Sequence, residues 1–64
     1  MDMKVYPRDL REGDQVNVHG TLYRVESFTE SVKNIRGHYD LAISFQGEDW
    51  VRIVSPWTVL DIVR

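Results

Sequence analysis

Apolar and polar residues alternate along most of this chain, most clearly from Gly13 to Val25. Val16 and Val18 fall on one side of an extended segment, with Gln15, Asn17 and His19 on the other. Gly20-Thr21 supplies a turn signal, and Tyr23 and Val25 then resume the period of two. The pattern predicts a hairpin of one strand from Gln15 to His19 and a second from Leu22 to about Phe28. Leu22, Arg24, Glu26 and Phe28 have the opposite parity to Tyr23 and Val25, so burying Phe28 as well requires a bulge near Ser27.

Further strands follow from the same reading. Tyr39 to Phe45 places Tyr39, Leu41, Ile43 and Phe45 on one face. A turn at Gln46-Gly47-Glu48-Asp49 leads into Trp50 to Val54, where Val51 and Ile53 are expected to face inward and Trp50, Arg52 and Val54 outward or at the margin. Val59 to Val63 closes the sheet, with Leu60 and Ile62 or Val59 and Val63 toward the core. Residues 1–8 read as a flexible arm or an edge strand stopped by Pro7, which lacks the N–H a central strand needs. Leu10 is expected to cover one end of the core, and Gly13 is free to take a positive φ. Thr29 to His38 reads as a loop or distal hairpin, because its β-branched residues disfavour a short helix. At Ser55-Pro56-Trp57 a single 3₁₀ turn is expected, since Pro56 has no donor and fixes φ.

Little connecting chain separates these segments. Their number favours a small all-β domain, a five-stranded closed or nearly closed barrel, which would leave no long exposed edge. With 64 residues and no cysteine, the core must hold the fold without disulfides or thiolate-bound zinc.

The run Leu10-Arg11-Glu12-Gly13-Asp14-Gln15-Val16-Asn17-Val18, then Gly20-Thr21-Leu22-Tyr23-Arg24-Val25, with the late Ser55-Pro56-Trp57 turn, resembles small Src-homology-3-like barrels. That broad class includes KOW-type domains and many small bacterial and phage proteins. The resemblance covers most of the chain and implies a fold more than a task. The first hairpin has no basic run of the KOW kind. The Thr29 to His38 segment also lacks the acidic cluster of a proline-peptide-binding domain, and no paired-tyrosine groove is evident.

Charge narrows the functions further. The net charge is −2, with no run of like charges. Nucleic-acid-binding domains usually carry a basic excess, because phosphate contacts dominate their affinity. Nothing approaches the roughly 18 apolar residues of a membrane helix, and Met1-Asp2-Met3-Lys4 leads into no signal-peptide core, so a cytoplasmic location is expected.

No motif specifies catalysis. His19 and His38 each adjoin a glycine in an expected turn, and a surface turn accounts for both more simply than a site with Asp14 or Asp40. Ser44 and Ser55 lie in no nucleophile elbow. The chain is therefore read as non-catalytic, with no cofactor and no metal.

The aromatic residues are the stronger lead. Tyr23, Tyr39 and Phe45 share parity with core aliphatics, whereas Trp50 and Trp57 either plug the barrel or anchor a partner through their large area and N–H donor. The leading expectation is a protein-interaction module, an adaptor or small regulator, acting through Trp50, Trp57, Arg52, Arg36 and Tyr39. Homo-oligomer formation is a particular case of it. The alternative is nucleic-acid binding, with Arg24, Lys33, Arg36 and Arg52 on phosphates and exposed aromatics stacking on bases.

Overall fold

The computed structural model describes residues 1–33, 35, 37 and 39–64. They form β1 (Asp2–Val5), β2 (Gln15–Val18), β3 (Thr21–Lys33), β4 (Tyr39–Phe45), β5 (Val51–Val54) and β6 (Leu60–Val63). The six strands make one antiparallel sheet in the order β1-β6-β2-β3-β4-β5, and it does not close: β1 and β5 are its two edges. The domain is thus all-β, as the alternation predicts, but with six strands in an open sheet instead of five in a barrel. The additional strand is the N-terminal segment, whose Val5 enters the core opposite Leu60.

The β2–β3 hairpin turns one residue earlier than its glycine suggests. Val18 pairs with Thr21, which leaves His19 and Gly20 as the turn, at φ 52° and 89°. Positive φ at both positions matches the twist of the flanking strands, and histidine is among the few side chains that enter this region readily. The Asn17 carboxamide oxygen accepts the Gly20 N–H at 2.8 Å, securing the turn from the strand side.

β3 is much longer than the pattern indicates. Its first residues pair with β2, and from Val25 onward it pairs with β4 as far as Lys33 opposite Tyr39. The register shifts between Val25 and Ser27, the location at which parity demands a bulge, and Phe28 thereby packs against the core together with Tyr23. Residues 29–33 therefore extend a distal hairpin instead of a loop.

The 3₁₀ turn lies at Pro7–Asp9, not at Ser55-Pro56-Trp57. Pro7 begins it with φ already set and no N–H to satisfy, and Leu10 closes it by donating to the Pro7 carbonyl at 3.1 Å. Leu10 is buried, which supplies the tertiary contact that holds so short a turn. Residues 55–58 form a single hydrogen-bonded turn, Thr58 N–H to the Ser55 carbonyl at 3.1 Å, reinforced by a 3.0 Å contact between the two hydroxyls.

Every strand contributes to one buried cluster: Val5, Val16, Val25, Ile43 with Phe45, Val54, and Leu60 with Ile62, joined by Leu10. On β5 the parity is the reverse of that expected. Val54 is buried and Trp50 packs on the core, while Val51 and Ile53 face out. Both parities of this segment carry apolar residues, and the one with the indole covers more area. Arg52 accompanies them half-buried, as a long aliphatic stem with a polar end permits. Among the described residues no helix is long and apolar enough to cross a membrane.

Candidate functional site

Three aromatic rings meet where β3, the end of β4 and the start of β5 converge. Tyr23 and Trp50 lie edge to face with ring centres 4.9 Å apart, while Phe45 is tilted against both, at 5.2 Å from Trp50 and 5.6 Å from Tyr23. Close aromatic pairs of this kind add to the stabilisation from burial itself. The Trp50 indole N–H donates to Glu48 Oε2 at 3.1 Å. Glu48 is in turn held by its own N–H on the Phe45 carbonyl, across a turn that takes Gly47 to φ 78°. Trp50 is thus a fixed, half-buried wall.

Beside that wall runs an open groove of about 520 Å³ between the β2–β3 turn and β5. Val18, His19 and Tyr23 line one side, and Trp50 to Ile53 the other, with no contribution from β4. The groove therefore follows the side of β5 that no strand covers. Alternate residues of an edge strand direct both N–H and C=O away from their only neighbour. Val51 is 51% and Ile53 60% exposed. Among the described residues no carboxylate forms an ion pair with Arg52.

None of the protein families, curated proteins or solved structures compared with this chain matches it. What the site can do must come from its own geometry. Trp50 and Arg52 are brought together in the groove. Tyr39 is elsewhere, in a smaller cleft of about 180 Å³ that includes Phe28 and Pro56, and exposed Trp57 follows Pro56 in the β5–β6 turn. Arg36 lies outside the described residues, as do the side chain of Lys33 and the whole of His38. Arg24 donates to the Gly13 carbonyl at 2.8 Å, a contact that braces the base of the hairpin.

Asp14 is the one buried ionic side chain among the described residues, and its role is structural. Arg64 grips both carboxylate oxygens, Nε to Oδ1 at 3.0 Å and Nη2 to Oδ2 at 2.8 Å, and the Arg11 N–H donates to Oδ2 at 2.9 Å. The Arg64 hydrogen bonds foremost, then that of Arg11, hold the Asp14 carboxyl below the ordinary aspartate range, against the opposing pull of burial. The same pairing raises the Arg64 pKa. No local pattern discloses a pair separated by 50 residues.

His19 stands exposed at the groove margin, with Asp14 committed to Arg64. Among the described residues no cluster of three acidic or histidine side chains could hold a metal ion. The groove offers an aromatic wall, an apolar strip, an arginine and an uncovered strand edge.

Proposed function

We propose that this chain is a non-catalytic protein-interaction module, a Src-homology-3-like adaptor or small regulator of bacterial or phage type, that engages its partner along β5. The fold assignment is supported by the long β3, which bends at its bulge and serves both halves of the sheet, and by the return of β6 beside β2. The observation that carries the function is the β5 edge, where Val51 and Ile53 are exposed next to Trp50, itself packed on Tyr23 and Phe45 and hydrogen-bonded to Glu48. Natural sheets blunt edges by keeping them short, by charges on either face or by covering them. β5 is short and carries Arg52 on its inner face, but both of its outward side chains are apolar. An apolar edge in a stable domain marks an interaction surface.

Selection from a displayed library of random dodecapeptides tests the reading. Enriched peptides are expected to bind the Ile53→Lys variant at least about tenfold more weakly, and to bind a Leu22→Lys variant unchanged. Leu22 is a comparably exposed aliphatic residue on β3, so it reports general surface stickiness. No enrichment, or enrichment indifferent to Ile53, overturns the proposal.

A further inference from the structure

We infer that the groove between the β2–β3 turn and the free edge of β5 takes an extended peptide segment that adds as a strand to β5 and carries a carboxylate side chain opposite Arg52. The inference rests on the interaction-module reading and deepens it by naming the partner's chemistry.

Three features point to this occupant. β5 has one neighbour, so two of its four residues present N–H and C=O groups to the groove, and only an extended chain satisfies both in register. The surfaces flanking that edge have the period of a strand: Val51 and Ile53 on its outer face, Trp50 with Tyr23 and Val18 on the other. A bound strand would set alternate apolar residues against each.

Among the residues that line the groove, Arg52 is the one with a formal charge. Arg52 is half-buried in the wall without a carboxylate partner among the described residues. His19 stands in the same lining, whereas Glu48, which accepts the Trp50 indole N–H, lies outside it. An arginine in a partly desolvated wall favours a carboxylate in its fork geometry over any neutral group. A helix would leave the edge backbone unmatched, and a small anion would leave the apolar strip bare.

Three synthetic peptides test the inference against the Trp57→Phe variant, in which Trp50 is the sole fluorophore of its kind. The first alternates Thr and Val around a central Glu, the second has Lys in place of Glu, and the third is the Glu peptide with alternate backbone nitrogens methylated, made in both alternations. The Glu peptide is expected to shift Trp50 emission saturably and to slow hydrogen exchange in β5. The Lys peptide should bind at least about tenfold more weakly, and methylation in the pairing alternation should abolish binding. Arg52→Gln should bring the Glu and Lys peptides to equal affinity.

Equal affinity for Glu and Lys peptides in the presence of Arg52 overturns the carboxylate preference. Undiminished binding of both methylated peptides overturns strand addition. A second copy found on β5 by sedimentation, undisplaced by the Glu peptide, overturns the choice of occupant. If none of the peptides binds while display-selected peptides remain sensitive to Ile53→Lys, this inference fails and the interaction module stands.

Discussion

The two edges of the sheet are each four residues long, and they are built to opposite rules. β1 turns Asp2 and Lys4 outward, and Lys4 pairs with Asp61 across the strand. Its start is clasped to the last residue: the Met1 ammonium donates to the Arg64 carbonyl at 2.7 Å and the Arg64 N–H to the Met1 carbonyl at 2.9 Å. β5 turns Val51 and Ile53 outward and keeps its one charge, Arg52, on the face shared with Trp50 and Val54. Outward charge on an edge deters pairing with another chain, and outward apolar residues favour it. On the proposed reading, the molecule thus protects one end of its sheet and presents the other.

The presented edge depends on the aromatic trio behind it, and removing the centre of that trio should have the largest effect. Phe45 is fully buried against Tyr23 and Trp50. Phe45→Ala is expected to cost about 3–5 kcal/mol. A domain this small has a stability of about the same size, so thermal melting by circular dichroism should show little or no folded chain at 25 °C. The gentler Phe45→Leu should leave the fold intact but speed hydrogen exchange in β5 more than in β1. Equal acceleration at both edges would show that the trio supports the whole sheet and not β5 in particular.

On the protected side the corresponding support is ionic. Asp14→Asn removes the charge that Arg64 and the Arg11 N–H hold in place, and a loss of about 1–3 kcal/mol is expected at neutral pH. The folded-state pKa is lowered, so the ionised carboxylate is the form that stabilises the fold. Its contribution is complete above the unfolded value of about 3.9 and disappears as pH falls from there through the folded value. Melting temperatures of the parent and Asp14→Asn chains should therefore differ at pH 7 and converge in acid. A gap that persists undiminished in strong acid would mean that the carboxamide misfits and that charge is not the cause.

What was legible in the sequence follows from how local its cause is. Leu41, Ile43 and Phe45 and the Val16 and Val25 core positions are set by alternation within a few residues and take the expected face, whereas Tyr39, of the same parity on β4, is exposed. Alternation alone left open whether Leu60 and Ile62 or Val59 and Val63 turn inward on β6, where the structure buries Leu60 and Ile62. The Val25/Ser27 shift was legible too, because parity allows Phe28 inside only with a bulge. β5 was misread because its two faces carry similar numbers of apolar residues. The decision rests on Trp50 meeting Tyr23 and Phe45, a contact between strands. The displaced 3₁₀ turn has the same origin. Pro7 and Pro56 are locally equivalent, and burial of Leu10 distinguishes them. Asp14 was invisible as an anchor because its partner lies at the far end of the chain. The candidate site shared this limit, with Trp50 and Arg52 meeting in one groove and Tyr39 standing in another.

The smallest expected change in stability probes the rule at β1. Lys4 and Asp61 are both largely exposed, and an ion pair in that setting contributes about 0–1 kcal/mol, so the double substitution Lys4→Val with Asp61→Val should alter stability by no more than about 1 kcal/mol. Its effect on association should be far larger. The substitutions replace an outward charge on β1 and its neighbour on β6 with β-branched apolar groups, giving the N-terminal edge the character of β5. Sedimentation at increasing concentration should then reveal self-association that the parent chain does not show through this edge. Restoring Lys4 alone should suppress it, since that returns an outward lysine to the edge strand. If the double variant instead sediments as the parent does, the terminal clasp between Met1 and Arg64 is what closes that edge, and the contrast with β5 lies in backbone coverage and not in side-chain charge.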